Sequence, residues 1–323
     1  MRHQKAASHG PVWFEQANRG TPVSFMALYQ SIASGIVTGC VYALVALSIV
    51  LIFKASEVVN FAGGEFVMLG AYGGLIALSL FHLPYIAAFA FSALALFLLG
   101  AAFNRLVLRT VLQRARRGQR TLVALVITTL GLSYALKGAT RLFSYTEELR
   151  KLPPAFNGPP IFVGPVVLQR QDMAIVVISF ALMFALYLFF QRTTIGKALR
   201  GTSQNPRAAV LIGIPVQRMQ LISWGIACAI SGVGGVLIGA KLTISPDFGS
   251  QVTLLAFAAA IIGGFTSLPG VVIGGILLGI VQNLVGVAFS SSAIAVTPFV
   301  VIMLVLVFRP QGLLGGRYHI KKV

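Results

Sequence analysis

Apolar runs recur along the chain at 25–53, 58–80, 83–103, 121–138, 173–190, 219–240, 252–264, 271–289 and 293–308, separated by short polar breaks. Most reach the roughly twenty residues a helix needs to cross about 30 Å of hydrocarbon. The pattern predicts an all-α fold: a polytopic integral membrane helical bundle of about eight to ten membrane segments, some discontinuous. A polar N-terminal tail (1–24) precedes a single transmembrane domain (25–308), and a basic C-terminal tail (309–323) follows. The first run is too long for a signal-peptide core and lacks a small-residue cleavage site, so it reads as a retained span.

Two of the runs are irregular. Residues 58–80 begin VVNFAGGEFVMLGAYGG, with Asn60, Glu65 and Tyr72 in apolar surroundings and a break at Gly63 and Gly64. A carboxylate in hydrocarbon costs several kcal/mol, so Glu65 faces protein, water or the headgroup level beside Lys54. Freed backbone groups at a glycine pair are tolerable only beside a cavity or another helix. The run at 252–264 is short and ends in GGFTSLPG, broken at Gly263 and Gly264. Paired interruptions in opposite halves of a chain point to a transport site between two structural repeats, although no residue-by-residue repeat is evident. Asn60, Gly63, Gly64, Glu65, Tyr72, Thr128, Gly263 and Gly264 are therefore the translocation-pathway candidates. For Thr128, hydrogen bonding to neighbouring helices is the alternative. Gly35 and Gly39, Gly270 and Gly274, and Gly275 and Gly279 form small-xxx-small pairs that favour close helix packing.

The segment 192–218, RTTIGKALRGTSQNPRAAVLIGIPVQR, is basic and lies between two apolar runs. Asn205 suits an N-cap, and Pro206 suits the first helical position, where a missing N–H is harmless. Gly213 suits the left-handed residue after a helix, and Pro215 prevents its continuation. The expected helix is about two turns long, with Ala208, Leu211 and Ile212 on one face and Arg207 on another. Such a plug suits a groove in a partner; an ordinary connecting loop is the other reading.

Composition agrees with a membrane location. The 323 residues are 57% hydrophobic and 10% charged, with a mean hydropathy of +0.89. The formal charge is +18, from 25 basic against 7 acidic residues. The basic residues cluster between runs and do not interleave with aromatics. They fit the positive-inside rule and attraction to membrane lipid, and no nucleic-acid surface is expected. Arg105, Arg109, Arg114, Arg116, Arg117 and Arg120 mark one inner loop, and Arg309, Arg317, Lys321 and Lys322 place the C-terminus in the cytoplasm. Counting back puts the N-terminus outside, unless one of the first two runs hides an extra half-crossing. The loop 140–172 is external and long enough to carry a short element. Cys40 and Cys228 lie in apolar runs and read as packing residues.

No catalytic or metal signature is present: the four histidines lie in tails or at a span end, and no HExxH or GxSxG occurs. Gly196–Lys197 is followed by Ala198, without the upstream glycine of a nucleotide-binding loop, so no ATP site or other cofactor is expected in this chain. With Glu65 the one ionisable pathway candidate, self-powered transport has little support.

The blocks GCVYALVALSIVLIFKASEVVNFAGGEFVMLGAY, LVITTLGLSYALKGATRLF, TTIGKALRGTSQNPRAAVLIGIPVQRM and AFAAAIIGGFTSLPGVVIGGILLGIVQNL resemble the permease subunits of branched-chain amino acid ABC importers. The similarity runs from about Ser31 to Gly312. It departs at Gly63, where the family usually has His. The resemblance implies a type II importer-like permease of the bacterial inner membrane, with a cytoplasmic coupling helix that docks on an ABC ATPase. The coupling residues it implies are Gly201, Asn205, Pro206, Arg207, Ala208, Ala209, Leu211, Ile212, Gly213 and Ile214. It implies as partners ATPase subunits that bind the ATP, a second, paralogous permease forming a heterodimer, and a periplasmic solute-binding protein. The solute class it implies is branched-chain amino acids or related small polar solutes. An ATPase-independent channel or facilitator for urea or an amide is the alternative.

Overall fold

The computed structural model describes residues 25–115, 121–143, 151–156 and 158–315. The tail 1–24, Arg116, Arg117, Arg120, Arg317, Lys321 and Lys322 lie outside the described residues. The helices are α1 (Phe25–Ser56), α2 (Gly63–Ser79), α3 (Tyr85–Phe103), α4 (Arg109–Ala115), α5 (Thr121–Arg141) and α6 (Arg170–Arg192). They continue as α7 (Thr194–Gln204), α8 (Pro206–Leu211), α9 (Val216–Gly239), α10 (Phe248–Gly263), α11 (Leu268–Ala288) and α12 (Ala293–Phe308). A π turn, Asn104–Leu108, joins α3 to α4, so Arg105, Arg109 and Arg114 ride on a helical extension of α3. The 140–172 loop carries the expected short element, an antiparallel hairpin of β1 (Ile161–Val163) and β2 (Val166–Leu168).

Among the described residues, six helices are long and apolar enough to cross a membrane, and three shorter apolar ones (α2, α10 and α12) accompany them. Helices α1 and α9 form the centre: their most apolar windows are 83% and 78% buried, against 28% in α3 and α6. The outer helices expose large apolar side chains, such as Leu94, Val177, Phe184 and Met303. That distribution suits lipid outside and protein within.

Glycines permit the central contacts. A Cβ on Gly35 would lie 2.6 Å from Ile280 Cα, and one on Gly39 would lie 2.6 Å from Ile276 Cα. The facing glycines are as tight, with a Cβ on Gly279 only 2.4 Å from the Gly35 carbonyl oxygen. The small residues expected on α1 and α11 thus belong to one interface. Cys40 and Cys228 are buried and free, and Cys228 packs where Gly100 leaves space.

The packing pairs repeat with the halves exchanged. Helix α1 packs on α11 while α9 packs on α3; α2 packs on α9 while α10 packs on α1; α2 and α10 also meet each other. The exchange is one of packing, because the residues themselves do not repeat.

The ends of the bundle differ in charge. At one end Gln30, near the start of α1, bonds both the N–H and the carbonyl of Val167 in the hairpin. Lys241 reaches Asp172 at 2.8 Å at the foot of α6. At the other end α1 touches α7, and Phe53 stacks edge-on against Phe265 at 5.2 Å. The segment after α12 returns there, with the Leu313 N–H bonded to the Ile262 carbonyl at 2.8 Å. Helix α1 therefore crosses the bundle once, with no extra half-crossing. Lys54, α7, α8 and Arg309 share one end.

Candidate functional site

Two helix starts meet inside the bundle. The glycine pair at 63–64 does not break a helix, as the pattern suggested. The break falls earlier, at Glu57 (φ 54°) and the residues up to Ala62, and both glycines open α2. At 17 and 16 residues, α2 and α10 span only about 26 and 24 Å, short of the hydrocarbon thickness. Their first N–H groups therefore need partners away from water. The Gly64 N–H donates to Thr253 Oγ1 at 2.8 Å, and that hydroxyl donates to the Gly249 carbonyl at 2.9 Å. Asn60, buried before α2, accepts from the Ala62 N–H at 3.1 Å. Its side-chain oxygen thus closes the turn that leads into α2. Gly63 leaves space for Ile49 of α1.

One residue on, Glu65 is 1% exposed. Its cationic partner is Lys137 of α5, not Lys54: Lys137 Nζ lies 3.8 Å from Glu65 Oε1. The other oxygen, Oε2, is buried without a hydrogen-bond partner among the described residues. Lys137 also donates to the Ser250 hydroxyl on α10 and sits 3.8 Å from Asp247 Oδ1. Asp247 in turn receives Arg141 Nη2 at 2.9 Å. Charges thus alternate inward from Arg141 and Asp247, whose side chains are 54% and 68% exposed, through Lys137 at 18% to buried Glu65. A carboxylate in the first turn of a helix is favoured by the N-terminal dipole, and the nearby ammonium offsets part of its desolvation.

The remaining pathway candidates do not join this cluster. The Thr128 hydroxyl bonds back to the Ala124 carbonyl at 2.7 Å. Its neighbour Thr129 makes the tertiary contact, donating to the carbonyl of Val59, in the segment between α1 and α2, at 3.2 Å. Tyr72 belongs to the buried core. Gly263 and Gly264 hold the α10–α11 turn: a Cβ on Gly263 would lie 2.3 Å from the Gly270 carbonyl oxygen, and Gly264 has φ 95°. Sequence reasoning passed over Lys137 and Thr253. A lysine within an apolar helix implies a buried acid, and Glu65 was the acid available.

The capped helix forms where the spacing predicts it. Thr193 caps α7, accepting from the Gly196 N–H at 2.9 Å. Asn205 caps α8, accepting from Ala208 N–H at 3.0 Å, and Pro206 takes the first helical position. Gly213 adopts φ 83° and bonds the Val210 carbonyl at 3.0 Å, while the Ile214 N–H bonds that of Ala209 at 2.9 Å. Ile214 lies beside Gly201. Ala209 turns inward and is buried. Arg207 and Ala208 are exposed, as are Val210 at 60%, Leu211 at 87% and Ile212 at 76%. An apolar surface on a capped turn is left uncovered by the described residues.

Known proteins match this chain over most of its length. The family described as branched-chain amino acid transport system / permease component matches residues 31–308. The high-affinity branched-chain amino acid transport system permease protein BraD of Pseudomonas aeruginosa is 31% identical over 307 residues, covering 91% of this chain and 97% of that protein. The corresponding permease protein LivH of Escherichia coli is 29% identical over 313 residues, covering 93% and 99%. A probable LivH of Methanocaldococcus jannaschii is 29% identical over 284 residues, covering 84% and 88%. With a family match across the whole bundle and six helices fit to span a membrane, this chain is a multi-pass membrane permease of the branched-chain amino acid transport system family.

Proposed function

We propose that this permease forms the route by which an ATP-driven importer takes up branched-chain amino acids or related small polar solutes. ABC ATPase subunits bind and hydrolyse the ATP, and this chain holds no cofactor. A second, paralogous permease completes a heterodimer, and a periplasmic binding protein delivers solute to the hairpin end. The end carrying Lys54, Arg105, Arg109, Arg114, α7, α8 and Arg309 faces the cytoplasm, by the positive-inside rule. The observation that carries this reading is α8: Val210, Leu211 and Ile212 stand exposed on a helix capped by Asn205 and closed by Gly213. Two turns of helix are marginal alone. Held by caps and by buried Ala209, they become a rigid knob that a cytosolic motor could push. The motion reaches α9 directly, because the α8–α9 turn is only four residues long, Ile212 to Pro215.

The test is purification of the chain with its ATPases, followed by reconstitution with the binding protein. Stoichiometric ATPase and ATP-dependent uptake are expected. Equal solute flux through the chain alone, without ATP, would instead establish a facilitator.

A further inference from the structure

The charged cluster between α2, α5 and α10 is built incompletely. A buried carboxylate is ordinarily satisfied at both oxygens, yet Glu65 Oε2 has no hydrogen-bond partner among the described residues. Its other oxygen is 3.8 Å from Lys137, in ion-pair range but beyond hydrogen-bond length. Lys137 is divided between Glu65 and Asp247, 3.8 Å from each, and hydrogen-bonds to neither. Its bond is to Ser250.

Helix α5 is held to the rest at few points. Beyond α4 it packs chiefly against α2, where Lys137 meets Glu65. Thr129 bonds Val59 in the segment before α2, Asp247 and Ser250 add the link toward α10, and Leu125, Leu132 and Leu136 pack on the core. Gly131 and Gly138 have open space where a Cβ would stand. The polar share of these ties can be exchanged for other contacts of equal charge.

We propose that Glu65 and Lys137 are the residues that select the solute's charged headgroup, the α-ammonium going to Glu65 and the α-carboxylate to Lys137. This rests on the importer reading above. A zwitterion inserted between the pair supplies the donor that Oε2 lacks and gives Lys137 a hydrogen-bonded carboxylate in place of a distant one. Net charge in the cluster is unchanged by entry, so no bare charge is left in low dielectric. A cation lacking the carboxylate leaves Lys137 with Asp247 as its remaining acid partner and an added positive charge nearby, and an anion lacking the ammonium leaves Glu65 unpaired. Both are disfavoured by the same electrostatics. Arg141 and Asp247, exposed at the mouth, present the same pair of charges to an arriving solute.

The test places a reporter beside the pair. Ser250 is exposed and touches Lys137, whereas Cys40 and Cys228 are buried, so Ser250→Cys gives one reactive thiol. In the permease assembled with its ATPases, labelling by a cationic thiol reagent is followed with leucine, leucinamide or 4-methylpentanoate. Leucine should slow labelling several-fold, and the two analogues, each lacking one charge, should not. Adding Glu65→Gln should abolish the protection. Equal protection by leucinamide or 4-methylpentanoate overturns the proposal, as does no protection by leucine. ATP-dependent leucine uptake by the unmodified importer is measured alongside. Its absence overturns the importer reading, whereas normal uptake without headgroup-selective protection overturns this assignment alone.

Discussion

Gly64 and Gly249 face each other across two helix starts with no room for a side chain: a Cβ on Gly64 would lie 1.8 Å from the Gly249 carbonyl oxygen. The obstacle is backbone, which cannot rotate away, and Thr253 Oγ1 would lie 2.2 Å from the same Cβ. Gly64→Ala must therefore separate α2 from α10 and break the Gly64–Thr253 bond. Overpacking of this kind costs about 1–3 kcal/mol or more. Gly131→Ala is the matched control, because nothing lies within 4 Å of its Cβ position. Replacing a helical glycine there should be neutral or stabilise by up to about 1 kcal/mol. Thermal unfolding of the two purified variants should shift in opposite directions, or only for Gly64→Ala; equal shifts would contradict the close contact.

Leu211 is 87% exposed, so Leu211→Asp should leave the fold intact while removing the apolar surface of α8. Membrane insertion is expected at the normal level and ATP-driven uptake is expected to be lost. Gly213→Val acts differently, because φ 83° strains a β-branched residue and misplaces the α8–α9 turn. Normal uptake in either variant sinks the coupling role.

Asn205→Ala removes the oxygen that holds the Ala208 N–H and should destabilise α8 by roughly 1 kcal/mol. Hydrogen exchange of the α8 amides, read in the assembled permease, should accelerate without change in α9. Unchanged exchange would show that packing of Ala209, not the cap, fixes the helix.

Glu65→Gln keeps the volume and one carbonyl oxygen beside Lys137, while Glu65→Ala leaves a void and an ammonium with Asp247 as its remaining acid partner. Uptake should rank native above Gln and Gln above Ala. Equal, normal rates in both variants would return Glu65 to a purely structural place.

Arg141→Gln tests the outer pair. Arg141 and Asp247 are both more than half exposed, so their attraction is screened and contributes about 0–1 kcal/mol. Its thermal shift should be smaller than that of Lys137→Gln, which strips the cation nearest a buried carboxylate. A larger shift for Arg141→Gln would reverse the assignment of inner and outer charges.

Much of this was readable along the chain. The apolar runs, the small-residue pairs at Gly35, Gly39, Gly275 and Gly279, and the Asn205–Gly213 helix obey rules of spacing and backbone geometry that act within one element. The roles of Asn60, Gly63, Gly64, Gly263 and Gly264 were not readable. A buried asparagine closing its own turn and one lining a route look alike in sequence, and a glycine needed for contact looks like one that breaks a helix. Thr128 bonds back along its own helix where its neighbour Thr129 reaches the segment between α1 and α2, since one position along a helix turns a side chain by about 100°.

Alone, the sequence determined that this protein crosses lipid many times and carries a capped, basic turn between spans, because hydrophobic length and capping chemistry are local properties. Only the tertiary structure decided that Glu65 meets Lys137, that α2 starts against α10, and that α1 and α9 occupy the centre. Those facts depend on which helix faces lie together, and burial turns a lone carboxylate and a lone lysine, far apart in the chain, into one electrostatic unit.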